Sequence, residues 1–307
     1  MITAEQINTL TRACLKAADG YMLAVCDYSS VEARALAWMA GDTAAVERFR
    51  SGADPYIALA ARIYGVPESS IDKEDPRRKV GKAGELACGY GQGPGGPKNP
   101  NKGKGFGKPF GFYGFAEKNG VDWAVMAKSK PPLTPKIVVD MWRKLHAPSV
   151  KLWKDLEHGM KLAYSGEDNS VGVGCEVHWA KWNDAIVCTL PSGRSLVYHN
   201  VHASRGKYGL ELRYQGGKGF EKTYGGKITE NIIQAICRDF LAVALIKCED
   251  AGLRPVLHVH DEIVCEVPED EAAEGLQLLE HIMVDLPEWG EGMPIGVEGF
   301  LCKRYRK

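Results

Sequence analysis

The sequence predicts an α+β fold: an antiparallel sheet backed by helices, interrupted by a helical insertion over about residues 46–170. Three observations carry this. Short apolar runs at 21–26 and 255–268 have strand length and end in turn residues. Pro191-Ser192-Gly193-Arg194 separates two further strand-like runs, 185–190 and 195–199. Between Gly41 and about Ser170 the pattern is helical, punctuated by Asp-Pro starts and glycine stops.

In chain order, Thr3 and Gln6 form a capping box for a first helix carrying Ile7, Leu10, Cys14 and Leu15, which Asp19-Gly20 ends. YMLAVC (21–26) reads as a buried strand that delivers Asp27 to its carboxyl end, and Ser30–Met39 as an Ala-rich helix. Asp54-Pro55 starts a helix that Gly65 ends, and Asp75-Pro76 starts another, since proline suits a first helical turn. Residues 91–120, crowded with Gly, Pro and Lys, read as a mobile loop. Helices follow over 135–144 and 149–164, then strands from about 173, including 210–214. Ile233, Ile236, Phe240 and Ala244 share one face of a helix over 230–250. Residues 255–268 form two strands around Asp261-Glu262, an acidic helix spans about 270–285, and a strand near 295–301 precedes the basic tail.

With 307 residues, 45% hydrophobic and 25% charged, the chain has globular composition, excluding disordered, collagen-like and disulfide-scaffold classes and leaving room for two lobes. No run approaches the roughly 18 apolar residues of a membrane span, so no membrane partner is expected. Nine scattered cysteines without a C-x-x-C pair fit reduced thiols in a cytoplasm. Balanced charge, 39 basic against 39 acidic, hides an asymmetry. Residues 76–108 hold eight Lys or Arg against one acid, Glu85, whereas 261–298 hold twelve acids and no Lys or Arg. The first segment can attract a polyanion; the second repels one or gathers cations.

Asp27 closes one apolar strand, and Asp261-Glu262 tops a hairpin in HVHDE. A carboxylate ending a buried strand is costly unless paired with a cation or metal. Two on adjacent strands suit divalent ions in an oxygen-ligand site; alternatively, each caps a turn. After Pro76, Arg78, Lys82, Leu86 and Tyr90 recur every four residues along one helix stripe. Two cations followed by an apolar and an aromatic residue suit a triphosphate and a flat base, or a solvated face running into a core contact. Gly81, Gly84 and Gly89 weaken that helix, each by up to about 1 kcal/mol. Close approach to a ligand, a hinge or tight packing would each explain them.

Together these segments resemble the family A DNA polymerases, the bacterial DNA polymerase I type, and especially their phage-like branch. DYSSVEARALAWMAGD is similar to that family's first catalytic motif, DPRRKVGKAGELACGYG to its fingers-helix motif and HVHDE to its second catalytic motif. YGGKITENIIQAICRDFLA and LPSGRSLVY resemble further family segments, in the right order between about residues 8 and 301. The resemblance implies a palm built from 1–45 and 171–307, with fingers at 46–170. It implies DNA synthesis by two-metal phosphoryl transfer, with primer–template DNA and deoxynucleoside triphosphates as partners. Asp27, the backbone carbonyl of Tyr28 and Asp261, with Glu262 close by, would hold two Mg2+ ions, for which Mn2+ can substitute. Arg78 and Lys82 would neutralise the triphosphate, Lys82 could protonate pyrophosphate, and Tyr90 would line the base-pair pocket. Glu32 matches the steric gate against a ribose 2′-hydroxyl, and Gln234, His260 and Arg34 would contact DNA.

Two residues depart from the pattern. Leu86 stands where a ring is usual against the sugar, and Tyr56 where bacterial members commonly place a phosphate-contacting His. Counterparts of the thumb and exonuclease are not found in these residues. A truncated or split polymerase is therefore expected, with a second polypeptide supplying them, acting in a cytoplasm (the host's, if phage-encoded). A non-catalytic subunit or remnant that binds primer–template or a replication partner is the alternative.

Overall fold

A computed structural model describes residues 14–100, 105–206 and 209–305. The expected first helix lies outside the described residues up to residue 13, and its expected end, 14–19, is not helical: Lys16 there forms an antiparallel bridge with Arg304, and this strand pairing takes the place of a helical turn. Strand β1 (Tyr21–Tyr28) leads into helices α1 (Val31–Ala40), α2 (Thr43–Arg50), α3 (Pro55–Tyr64) and α4 (Pro76–Cys88). Helices α5 (Gly111–Lys118), α6 (Trp123–Met126), α7 (Pro135–Leu145) and α8 (Ala147–Tyr164) follow. Strands β2 (Asn169–Gly172), β3 (Glu176–Trp182), β4 (Ala185–Thr189), β5 (Ser195–Tyr198), β6 (His202–Gly206), β7 (Gly209–Gly216) and β8 (Gly219–Lys222) come next. Helix α9 (Gly225–Asp250), strands β9 (Arg254–Val259) and β10 (Glu262–Pro268), helix α10 (Ala272–Val284) and strand β11 (Val297–Cys302) complete the chain.

The chain packs as two units, 1–32 with 234–307 and 33–233. The expected segment boundaries at 45/46 and 170/171 both fall inside the second unit, where β2 and β3 pack on α8.

The first unit is built on a four-stranded antiparallel sheet in the order β11-β1-β10-β9. Its central strand is apolar along its middle because both faces are covered: Leu23, Ala24, Val25 and Cys26 are all buried. One face carries Leu23 and Val25 against Val264, Cys302, Tyr305 and Ala17. Helix α10 packs on β1, β10 and β11. Along α9, Ile236, Phe240 and Ala244 are buried as the helical spacing predicts, and Phe240 stacks on Trp289 at 4.5 Å.

The second unit gathers α3 to α8 around Leu59, Ile63, Val80, Ala83, Phe112, Trp142 and Trp153. Both Asp-Pro starts are caps. Asp54 accepts from the Tyr56 and Ile57 amides at 2.8 and 3.3 Å, Asp75 accepts from the Arg77 amide, and Gly65 ends α3 at φ +66°. Strands β2 to β5 form one antiparallel sheet and β6 to β8 another.

The segment 91–120 is not wholly loop, which corrects the sequence reading. Residues 111–118 are helical, and Gly96 bridges to Phe110. Glycine content hid an (i, i+4) pair, Phe112 and Ala116, both fully buried in the core. Burial of that pair overrides the local propensity.

Candidate active site

In the first unit, the antiparallel register sets Asp27 directly opposite Glu262. Directly opposed residues lie about 4.5–5.5 Å apart at Cα, with side chains on the same face. The Tyr28 amide donates to the Asp261 carbonyl at 3.1 Å, so the turn carrying Asp261 abuts the end of β1. Asp27 Oδ1 and Glu262 Oε2 are both sealed from solvent. Glu262 is 1% exposed and accepts the Tyr305 hydroxyl at Oε1. Three carboxylates thus share one corner of the sheet, with Glu262 turned into the protein.

His260 is exposed and left-handed at φ +54°, a conformation that costs a non-glycine residue about 1–2 kcal/mol. Gln234 is exposed on α9. One turn further, Cys237 is buried, and its thiol is pushed well up by burial and by the nearby carboxylates Glu32 and Asp261. The structure therefore sets Asp27 opposite Glu262, puts the Asp261 backbone against the end of β1, and places Glu32 and Asp261 each near the Cys237 thiol.

The second unit holds the cationic stripe. Arg78 and Tyr90 are half-buried, Lys82 is exposed and Leu86 is 53% exposed, while Val80, Ala83, Gly84, Ala87 and Cys88 are buried on the other side of α4. Arg78 donates to Asp54 from Nε at 2.8 Å, and its guanidinium lies 5.0 Å from the Tyr56 ring centre. The Lys82 ammonium lies 5.9 Å from the same ring. Tyr56 is thus the platform beneath both cations. Arg34 packs over Phe49 at 4.8 Å.

Of the three readings of the α4 glycines, packing is the one the structure bears out at two positions. A Cβ on Gly81 would lie 2.0 Å from the Tyr56 carbonyl oxygen, and one on Gly84 would lie 2.6 Å from Leu59. At Gly89 it would meet Leu36 at an ordinary 3.5 Å.

The DNA polymerase of Bacillus phage SP02 is 33% identical over 308 residues, which covers 98% of this chain and 44% of that protein. The family model "DNA polymerase family A" matches residues 2–98, the stretch containing both Asp27 and the α4 stripe. The chain is similar to family A of the DNA polymerases. The DNA polymerase of Mycobacterium phage D29 is 27% identical, over 89% of this chain and 33% of the relative. The fold matches a solved structure titled as the POL domain of Pol1 from M. smegmatis in complex with DNA primer-template and dNTP. The TM-score is 0.56 and the identity 19%, over 96% of this chain and 42% of that one. The chain spans less than half the length of each of these proteins.

Sequence reasoning assigned no role to Tyr305 in the first unit or to Asp42, Glu85 and His146 in the second, although Asp42 and Glu85 lie within the quoted motifs. Tyr305, in the basic tail, binds Glu262. Glu85 and His146 form a buried cluster with Asp42: His146 Nε2 lies 3.1 Å from Glu85 Oε1, and Nδ1 lies 3.3 Å from Asp42 Oδ2. Glu85 had a signal, as the single acid in the basic run 76–108.

Burial alone would push the His146 pKa down, but its bonds to Asp42 and Glu85 more than offset that and raise it to about 9. The folded value exceeds the usual value near 6.5, so the stabilisation is full below about pH 6.5 and lost as pH rises through about 9. Over that window the protein is expected to lose about 3 kcal/mol of unfolding free energy. Urea melts at pH 6.5, 8 and 9.5 check this; a midpoint no lower at 9.5 than at 6.5 would refute it.

Proposed function

We propose that this chain carries a polymerase active site that transfers deoxynucleotides to a primer 3′-hydroxyl under template direction. The observation that carries the reading is the carboxylate corner: Asp27 and Glu262 in register, with Asp261 beside them. A pure DNA-binding protein gains nothing from acids gathered against a phosphate backbone.

The donor set is hard oxygen throughout and fits magnesium. Among the described residues no group of three or more His, Cys, Asp or Glu is gathered as a metal cage. That is compatible with magnesium, which is typically bound through one or two carboxylates and keeps water and phosphate ligands. Asp27 and Asp261, with the Tyr28 carbonyl, would hold two ions, while Glu262, anchored by Tyr305, supports them from behind. When bound, such ions neutralise the nucleotide phosphates and make the attacking hydroxyl more acidic.

The other residues bind, select and move a proton. Arg78 has five N–H donors, so it can reach phosphate oxygens while still engaging Asp54. Lys82 adds a point charge and donates a proton to the departing pyrophosphate. Glu32 occupies the space that a ribose 2′-hydroxyl would need, and Tyr90 lines the base pocket. Leu86 supplies apolar surface without a ring. Gln234, His260 and Arg34 contact primer–template.

Primer extension on a primed template tests this, with magnesium or manganese, using the chain alone and mixed with a polypeptide carrying thumb and exonuclease segments. Template-dependent addition of deoxynucleotides in preference to ribonucleotides is expected. No extension under any of these conditions would refute the enzymatic reading. Primer–template binding that survived Asp27→Ala, without extension, would then point to a non-catalytic subunit.

A further inference from the structure

We propose that His146 is a positioning residue for nucleoside triphosphate binding, a buried cationic clamp that joins Glu85 on α4 to Asp42 at the start of α2. The inference rests on the polymerase reading above and concerns the second unit alone.

Both ring nitrogens of His146 face carboxylate oxygens, Glu85 Oε1 at 3.1 Å and Asp42 Oδ2 at 3.3 Å. A neutral imidazole has one N–H, so it would turn a lone pair toward one of the two acids. Only the imidazolium satisfies both, and the raised pKa of about 9 agrees with that protonation state. Each acid is held a second time. Glu85 Oε2 accepts from the Trp142 indole at 3.1 Å, and Asp42 Oδ1 caps α2 through the Ala45 amide at 3.1 Å. The Trp142 ring lies 4.6 Å from the His146 ring and is parallel to Trp153 at 5.7 Å. Trp153 in turn donates to the Gly89 carbonyl at 2.9 Å.

The clamp therefore grips α4 at residues 85 and 89, immediately before Leu86 and Tyr90, which face the nucleotide in the proposed site. Other titratable groups in this region are the Cys88 thiol, pushed up to about 12 by burial and Glu85, and Arg143, whose guanidinium donates to the Gln92 carbonyl at 3.4 Å. The Cys88 thiol stays protonated between pH 7 and 9.5. Without the imidazolium, Glu85 and Asp42 repel each other across a buried gap, and the end of α4 moves. Nucleotide affinity then suffers, whereas the carboxylate chemistry at saturating nucleotide does not.

The test compares the unmodified chain with His146→Gln, measuring the Kd of a fluorescent dATP analogue together with KM and kcat for primer extension, from pH 7 to 9.5. In His146→Gln the Kd and KM should rise roughly tenfold, with kcat within about twofold. In the unmodified chain both should climb as pH approaches and passes about 9, while the variant's profile stays flat. Equal affinities, or matching pH profiles, would overturn the inference and leave the polymerase reading standing. An unmodified chain that bound no dATP would overturn both. Should His146→Gln fail to fold, the unmodified profile decides: affinity that is flat to pH 9.5 overturns the clamp.

Discussion

Asp27→Asn is expected to abolish primer extension by a factor of at least about 10³, close to 4 kcal/mol of transition-state stabilisation, without lowering the melting temperature. The two effects separate because Asp27 sits in register with Glu262 and beside Asp261. Asn is nearly isosteric with Asp, so the strand pairing at residue 27 survives the substitution. Asn keeps the shape and an acceptor oxygen but loses the charge that would hold a dication against the nucleotide phosphates. Steady-state extension and a thermal melt on the same preparation check both halves. Extension within tenfold of the unmodified chain would sink the assignment of Asp27. A melting temperature several degrees lower would mean that the residue is structural.

Gly81→Ala is expected to be strongly destabilising although alanine is the better helix former. The gain in helix propensity is about 1 kcal/mol. Against it stands a Cβ that would lie 2.0 Å from the Tyr56 carbonyl oxygen and 3.1 Å from the Ala60 amide nitrogen, both backbone atoms that no rotamer change can move. Helices α3 and α4 must separate, and overpacking of this kind commonly costs up to about 3 kcal/mol or more. The net loss should lower Tm by roughly 5 °C. Gly89→Ala meets only an ordinary 3.5 Å contact and serves as the control. A melting temperature for Gly81→Ala equal to or above that of the control would refute the packing account.

Much of this architecture could be read from sequence because its signals are local. Asp54-Pro55 and Asp75-Pro76 state where α3 and α4 begin, and the structure has both carboxylates accepting from first-turn amides. The apolar run 21–26 reads as a buried strand and 255–268 as a hairpin, but the turn is His260-Asp261, one residue earlier than the expected Asp261-Glu262, because Glu262 is taken into β10 by its pairing with Asp27. What sequence hid depends on distant partners. Gly81 is ambiguous until Tyr56 is known to lie against it. His146 reads as an ordinary histidine because its two acids lie 104 and 61 residues away. Helix α5 is hidden by glycine content that outweighs one buried pair, β2 lies before the point near 173 where the pattern turns to strands, and β3, β6 and β8 do not stand out individually within that strand-like stretch.

The backbone contact at Gly81 has a kinematic corollary. Two rods that touch main chain to main chain, with a tyrosine of one beneath the cations of the other, have no slack for relative sliding. Any swing that carries Arg78 and Lys82 must bring Tyr56 and Asp54 along, so the grip on a triphosphate travels as preassembled tongs. The flexing then belongs to the connections on either side of the pair, never to the seam between them.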